Sequence, residues 1–320
     1  MGGAARKEQF GLVAHSSVAA VVTICANRKR VTPDAHTRAE SLPLAPQSVV
    51  ETAWLKALAG AAPQKRAREL YAGRSFRLAA EAASLTKARL YIVSAGLGFL
   101  EGSRRVPSYG ITVSRRCPDS VPDRVSGEFD APAWFRAMLT GKFSSALSAL
   151  AGRPGRILIA LTRPYAEMIG ESLAQLEPRA LDRVRIFGAA LAGSLPSGLC
   201  PMIAPYDGRL DRILPGTRVD FSQRALLHFV QLIAGSDPAD RQADFARIER
   251  SLQEVPGPPN RVHRPRRSDD EILQLISAKL QFQVGIARIL RALRDEEGVA
   301  CEQARFSRLY RAALQRSELL

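Results

Sequence analysis

Short apolar runs alternate with longer amphipathic stretches over most of the chain. The runs are rich in β-branched and aromatic residues, a pattern typical of strands that are buried on both faces of a sheet. They lie at 18–25, 90–94, 156–161 and 184–187, and a fifth is predicted at 200–204. The stretches between them have helical spacing, at 50–60, 64–84, 133–150, 221–233 and from Pro164 onwards.

Buried strands separated by helices predict an α/β fold with a mostly parallel sheet that is covered by helices. In such sheets the ligand site lies beyond the carboxyl ends of the strands. That rule selects the loops at 26–30, 95–110, 161–165, 188–194 and 204–209. We therefore expect the chemistry of this domain, residues 1–234, to come from those loops.

The chain changes character after this domain. Residues 235–267 contain a Pro/Gly run followed by several arginines, and they are interpreted as a basic linker with one short charged helix at 238–254. Ser268 and Glu271 then have the spacing of a capping box, which begins a helix that ends near residue 280. Two further helices are predicted, at about 285–296 and 301–316. Residues 268–320 are thus a helical module.

Arginines recur at every third position on the last two predicted helices, which places them along one side of each helix. They are Arg288, Arg291 and Arg294 on the first helix, and Arg305, Arg308 and Arg311 on the second. Three short helices with basic faces favour a helix-turn-helix-like DNA-binding module, with Arg266 and Arg267 of the linker as further DNA contacts. The alternative is a helical cap whose arginines pair with Asp269, Glu296 and Glu302.

Charge strengthens the nucleic-acid interpretation. The 320 residues include 46 lysines and arginines against 31 acidic residues, for a formal net charge of +15, and 39 of the basic residues are arginine. Arginine pairs with phosphates through two parallel hydrogen bonds and stacks on bases. DNA is therefore the predicted partner. A GC-rich genome, which enriches arginine and alanine together, is the alternative explanation.

The composition also excludes several classes of protein. An apolar fraction of 46% supports a real core, and no apolar run reaches the ~18 residues of a membrane span. The four cysteines lie far apart without metal-ligand spacing, so we expect reduced thiols and no metal. No GxGxxG follows the first predicted strand, so we expect no nucleotide cofactor. The apolar stretch 11–26 resembles a signal peptide, but His15 and the serines after it interrupt it. We expect a cytoplasmic protein without a membrane partner.

Four motifs occur in order within residues 18–115. They are Ile24-Cys25-Ala26-Asn27-Arg28-Lys29, Ala67-Arg68-Glu69-Leu70-Tyr71 with Phe76, Tyr91-Ile92-Val93-Ser94-Ala95 with Gly98-Phe99-Leu100, and Pro107-Ser108-Tyr109-Gly110-Ile111-Thr112. Together they resemble a bacterial family first described as a domain of unknown function, distantly similar to uracil-DNA glycosylases and to deazaguanine-modifying enzymes. The resemblance implies a DNA glycosylase that excises modified bases, as some relatives do in antiphage defence. The family usually has an acid after the tyrosine, where this chain has Gly110.

Base excision requires that a nucleotide leave the stack, that its base be held, and that a water be guided to the sugar. Asn27 is placed to orient that water, and Glu101 and Asp207 are the acids nearest to predicted strand ends, hence candidates for the general base. Arg28 and Lys29 would clamp phosphates. The alternatives are that Asn27 is a turn residue, that the two acids are surface carboxylates, and that the two cations are solvated.

Other candidates would bind the base. Ser94 and Gly98 delimit a tight turn whose amide groups could hold an anion or a base edge. Tyr109 could stack on the extruded base. The resemblance adds Arg68 and Tyr71 as substrate-binding residues. The alternatives are that the turn is purely structural, that Tyr109 is a core tyrosine, and that Arg68 and Tyr71 lie on a helix that serves packing.

The first functional hypothesis is a DNA N-glycosylase that leaves an abasic site, with hypermodified cytosine of phage DNA as the substrate that the resemblance suggests. Lys29 is the only lysine near the predicted site, and we see no convincing lysine for strand cleavage through a Schiff base, so a monofunctional enzyme is expected. A non-catalytic DNA-binding regulator with a nucleobase-sensing α/β domain is one alternative. A deazaguanine-type enzyme that modifies RNA is another.

Overall fold

The computed structural model describes residues 18–234, 240–258, 265, 267–282 and 285–317. The chain divides into two compact units, Met1–Pro259 and Asn260–Leu320. The first unit contains all the strands of the described chain, and the second consists of helices.

The first unit is built on a five-stranded sheet that is mostly parallel. The strands of the described chain are β1 (Val18–Ile24), β2 (Lys65–Arg66), β3 (Arg89–Ser94), β4 (Gly98–Glu101), β5 (Arg105–Val106), β6 (Arg156–Ala160) and β7 (Val184–Phe187). The large sheet has the order β4-β3-β1-β6-β7, and β2 pairs with β5 in a separate two-stranded ribbon. Only β4 is antiparallel to its neighbour in the large sheet. The α/β fold class predicted from the sequence is confirmed.

Helices connect the strands and form the second unit. In the first unit they are α1 (Gln47–Gly60), α2 (Ala67–Leu70), α3 (Arg74–Leu85), α4 (Ala131–Leu139), α5 (Arg163–Ala174), α6 (Pro178–Leu181), α7 (Leu210–Ile213), α8 (Phe221–Leu232) and α9 (Arg241–Gln253). In the second unit they are α10 (Asp269–Leu280), α11 (Ile286–Asp295) and α12 (Gln303–Ser317). None of these helices is long and apolar enough to cross a membrane.

Both faces of the sheet are buried, as its continuous apolar strands require. Successive side chains of a strand point to opposite faces, so Val21 packs in the core under α3 and α8 while Val22 packs in the core under α1, α4 and α5. Leu158 and Ile159 of β6 divide between the two cores in the same way. The loops that follow the parallel strands lie at the carboxyl edge of the sheet.

Four sequence predictions need correction. The segment predicted as one helix at 64–84 instead contains β2, α2 and α3, with a break at residues 71–73. The fifth strand at 200–204 is wrong: Ser197–Met202 is a 3-10 helix, and only a single bridge joins Ile203 to Ile186 of β7. The helix predicted over 133–150 ends at Leu139. The antiparallel strand β4 was not predicted, because its hairpin depends on one residue, Gly98, with a positive φ of 76°.

Helix α9 belongs to the first unit, although the sequence places it in a linker. Its Ile248 and Leu252 are buried in the core under α8. Its Asp244 is fully buried and pairs with Arg156 of β6 at 2.8 Å and with Arg185 of β7 at 2.9 Å. These ion pairs attach α9 to the amino ends of β6 and of the edge strand β7.

The second unit is a small three-helix core. Ile276, Ile289 and Phe306 are fully buried in it. The capping box at Ser268 is confirmed: its Oγ accepts from the Glu271 amide, and the Glu271 carboxylate accepts from the Ser268 amide. The connection from α11 to α12 spans residues 296–302, which is longer than the 3–4-residue turn of a typical helix-turn-helix.

Candidate active site

The carboxyl ends of three neighbouring parallel strands place polar side chains at one point of the first unit. Cys25 follows β1, Ser94 is the last residue of β3, and Tyr165 lies in the first turn of α5, just after β6. The Cys25 Sγ lies 3.0 Å from the Tyr165 Oη. Because β1 lies between β3 and β6, residues distant in sequence meet at this edge.

A chain of hydroxyl groups continues the site from Ser94. The Ser94 Oγ accepts hydrogen bonds from the amides of Gly96 (3.2 Å) and Leu97 (3.0 Å). Both lone pairs of this oxygen are then used, so its proton is directed to the Tyr109 Oη, 2.6 Å away. The Tyr109 Oη lies in turn 3.0 Å from the Tyr71 Oη.

We refer to this group of side chains as the hydroxyl cluster. It comprises Cys25, Tyr71, Ser94, Tyr109 and Tyr165. All five residues are buried, and burial raises the pKa of each of the three phenols, with the neighbouring Cys25 acting in the same direction. The phenols therefore stay protonated near neutral pH and take part as neutral hydrogen-bonding groups.

Lys29 covers the cluster from the loop after β1. Its Nζ lies 4.2 Å from the ring centroid of Tyr109 and 5.9 Å from that of Tyr71, within the range of a cation–π interaction. Burial lowers the pKa of the Lys29 ammonium, while Cys25 and Asp119 act in the opposite direction. A lysine whose pKa is lowered gives up its proton more readily near neutral pH.

The turn after β3 is held from both sides by buried tryptophans. Trp54 Nε1 donates to the Gly96 carbonyl and Trp134 Nε1 to the Ala95 carbonyl, each at 2.7 Å. The Tyr109 ring lies directly on Gly96: a Cβ at that position would be 2.7 Å from the ring. The cluster is therefore a rigid arrangement that leaves no room for a side chain at residue 96.

Asp119 is the carboxylate that the fold brings to this site. Its Oδ1 lies 3.0 Å from the point where a Cβ of Gly110 would be, next to Tyr109. Its charge is close enough to raise the pKa of Lys29. Asp119 is half-buried, and within the described chain its side chain forms no hydrogen bond or ion pair. The Asp119 carboxylate therefore occupies space that the absent side chain of Gly110 leaves open.

Several predicted site residues come together here. Lys29, Tyr71, Ser94 and Tyr109 form the cluster and its cover. Asn27 and Arg28 are exposed on the loop between Cys25 and Lys29, where they border the site. The Asn27 side chain has no hydrogen-bond partner within the described chain, and its carbonyl accepts from the Lys29 Nζ at 3.4 Å.

The tight turn does not present its amides to a ligand in the way that the sequence suggests. The amides of Gly96 and Leu97 donate to the Ser94 Oγ inside the turn. Gly98 has a structural role, because a Cβ there would lie 2.6 Å from the Met138 carbonyl oxygen. Tyr109 is completely buried, so in this structure its ring does not offer a free face for stacking on a base.

Glu101 and Arg68 lie away from the hydroxyl cluster. Because β4 runs antiparallel to β3, it carries Glu101 back to pair with Tyr91 instead of leaving it at the carboxyl edge. Glu101 and the exposed Arg68 instead line a surface groove with Lys87 and Arg89. The sequence misplaces Glu101 because it does not reveal the hairpin.

Asp207 is also separate from the cluster. It is exposed, and both of its carboxylate oxygens accept from the Arg209 Nε at 3.0 Å. Hydrogen bonds from Arg209 lower the pKa of Asp207. A carboxylate whose pKa is lowered in this way accepts a proton less readily, which disfavours Asp207 as the general base.

The predicted DNA-binding arginines of the second unit divide into two groups. Arg305 and Arg308 both pair with Asp269, and Arg267 pairs with Glu271. This pairing matches the alternative in which arginines stabilise a helical cap. The exposed Arg288 and Arg291 on α11 have no ion-pair partner within the described residues, and Arg266 lies outside them.

Three contributors to the site were missed by sequence reasoning. Cys25 lay in a motif and Tyr165 lay in a selected loop, so the strand-end rule could have included both. Asp119 lies in an irregular segment without periodicity, and no sequence signal indicates its position. Among the described residues, no three His, Cys, Asp or Glu side chains lie close enough together to hold a metal ion.

Comparison with protein-family models, with characterised proteins and with solved structures finds no match to this chain. The functional argument therefore depends on the geometry of the site.

Proposed function

We propose that the protein is a DNA N-glycosylase whose active site combines the hydroxyl cluster, Lys29 and Asp119. The observation that carries the proposal is a half-buried lysine placed against a buried, hydrogen-bonded tyrosine at the carboxyl edge of a parallel sheet. That edge is the usual ligand site of such sheets. A lysine of lowered pKa near a carboxylate supplies a proton donor and a proton acceptor in one place.

The proposed reaction is hydrolysis of the bond between the sugar C1′ and the base nitrogen. The electron pair of that bond leaves with the base, and Lys29 Nζ supplies the proton that neutralises it. The oxygen of a water molecule bonds to C1′, and Asp119 accepts the proton that this water loses. One water is consumed, and a free base and an abasic sugar are formed.

The tyrosines have a positioning role in this proposal. The Tyr109 ring holds the Lys29 ammonium, and its hydroxyl is fixed by Ser94 and Tyr71. Because the phenols are neutral, they do not form an ion pair that would hold the Lys29 proton. Asn27 at the exposed border is suited to hydrogen bonding with the base or the water.

The choice of a modified base, and of phage DNA as its source, rests on the family resemblance. The test incubates the protein with genomic DNAs that carry different base modifications and identifies the released bases by mass spectrometry. We expect a free base from at least one DNA. Asp119→Asn should reduce its release at least a hundredfold, within the range of general base catalysis.

Asp34→Asn is the matched control, since Asp34 is an exposed acid outside the site. It should leave release unchanged. Binding of DNA without release of any base would contradict the proposal and favour the non-catalytic regulator. Release from RNA alone would favour the RNA-modifying alternative.

A further inference from the structure

A basic ribbon lies on the surface of the first unit. We use this name for five exposed cations of the two-stranded β2–β5 ribbon and the residues next to it. They are Lys65, Arg66, Arg68, Arg104 and Arg105. Backbone hydrogen bonds from Ala67 to the Arg104 carbonyl and from Arg68 to the Gly102 carbonyl hold its two segments together.

A groove of about 610 Å³ extends the ribbon along the sheet. Arg68 of the ribbon lines it together with Lys87 and Arg89, both of which are exposed. Glu101 is the acidic residue among its lining residues. Ribbon and groove thus form a continuous cationic surface.

No acidic side chain of the described chain forms an ion pair with any of the five ribbon cations. Arg104 and Arg105 each donate one hydrogen bond to a main-chain carbonyl, that of Lys142 and that of Gln64. Arg66 and Arg105 lie directly opposite each other on the paired strands, where like charges destabilise a sheet. The side chains of Lys65, Arg66 and Arg68 form no hydrogen bond or ion pair with any described residue. A bound polyanion would relieve this repulsion.

The ribbon leads directly to the hydroxyl cluster along both of its segments. Arg66 precedes Tyr71 by five residues, and Arg105 precedes Tyr109 by four. Four residues of extended chain span at most ~14 Å. One turn of duplex DNA is ~34 Å long, so a duplex on the ribbon would pass within one helical turn of the cluster.

We propose that the basic ribbon binds the phosphate backbone of duplex DNA and presents a nucleotide to the hydroxyl cluster. This inference deepens the proposed function and rests on it. It assigns to the first unit a DNA-binding surface of its own, in addition to the exposed arginines of α11. The contacts are to phosphates, so binding does not depend on base sequence.

The test measures binding of the full-length protein to a fluorescent, unmodified 25-base-pair duplex at several salt concentrations. Arg66→Gln/Arg68→Gln removes two cations of the ribbon. Each phosphate contact contributes ~0.9 to the slope of log K against log salt concentration, so the slope should fall by about 2. Arg66→Lys/Arg68→Lys keeps both charges and should keep the slope.

The matched control is Arg179→Gln/Arg250→Gln, which removes two exposed arginines of α6 and α9. Its slope should equal that of the unchanged protein. Three outcomes would overturn the inference. They are an unchanged slope in Arg66→Gln/Arg68→Gln, an equal decrease of the slope in this variant and in the control, and no binding of the duplex by the unchanged protein. The proposed function can fail independently of this inference. It fails if the protein releases no base although Arg66→Gln/Arg68→Gln lowers the slope of log K against log salt concentration.

Discussion

At the scale of single residues, the candidate site depends on how Lys29 is held. Its ammonium lies over the Tyr109 ring, and the hydroxyl of that ring is fixed by Ser94 and Tyr71. Burial lowers the pKa of Lys29, whereas the nearby Asp119 opposes the shift. The net effect is a lysine that gives up its proton more readily than an exposed lysine does.

This balance predicts the pH dependence of base release. Lys29 acts as an acid and must be charged, so the rate should fall as pH rises through its lowered pKa. Lys29→Arg stays charged over the same range, so its lower rate should show no such fall. The measurement is the single-turnover rate of release between pH 6 and pH 10. The same high-pH fall in Lys29→Arg would contradict the role of Lys29.

His228 supplies an independent pH prediction, for stability. Its Nδ1 lies 2.8 Å from the Tyr206 Oη, and burial lowers its pKa below the ordinary value of 6.5. The unfolded chain therefore binds a proton more readily than the folded chain, and stability falls as pH decreases below about 6.5. Urea unfolding at pH 7 and pH 5 measures this effect. The free energy of unfolding should decrease less between the two pH values in His228→Asn than in the unchanged protein. An equal loss in both proteins would contradict this explanation.

At the scale of elements, the buried ion pairs of Asp244 hold α9 against β6 and β7. Removing one member of a buried ion pair leaves an uncompensated charge and costs about 3–5 kcal/mol. We expect that loss for Asp244→Asn in urea unfolding. Glu249→Gln changes an exposed acid on the same helix and should cost under about 0.5 kcal/mol. A similar decrease in the free energy of unfolding in both variants would contradict the stabilising role of the Asp244 ion pairs.

The capping box of α10 predicts a local effect. Ser268→Ala removes the hydroxyl that accepts from the Glu271 amide, a loss that typically costs about 1 kcal/mol. Hydrogen exchange of the α10 amides should become about fivefold faster, while exchange in β1 should be unchanged. Equal acceleration in both elements would indicate general destabilisation.

Strands and most helices could be predicted because their signal is local. The apolar runs of β1, β3, β6 and β7 and the capping box at Ser268 are contained in short windows of sequence. The hairpin of β4 depends on the positive φ of Gly98 and on its contact with Met138, which lies distant in sequence. Tyr109 could be predicted as a site residue because it lies in one of the four sequence motifs. Asp119 could not, because it lies in an irregular segment and reaches the site only through the folding of that segment against Gly110.

At the scale of the whole molecule, the net charge of +15 predicts a polyanion partner, but it does not predict where such a partner would bind. Some arginines stabilise the fold: Arg224 pairs with Asp211 and Asp220, and Arg305 pairs with Asp269. The basic ribbon has no comparable acidic partners in the described chain. Only the fold distinguishes arginines that are neutralised internally from those that remain available.

The central claim is that one site, covered by Lys29, removes bases from DNA. The most direct test counts abasic sites with an aldehyde-reactive probe in modified phage DNA. It compares the unchanged protein with Lys29→Met and with Lys56→Met, which alters an exposed lysine of α1. We predict that abasic sites accumulate with the unchanged protein and with Lys56→Met, and are at least a hundredfold fewer with Lys29→Met. Equal numbers with Lys29→Met, or no sites with any of the three proteins, would contradict the claim.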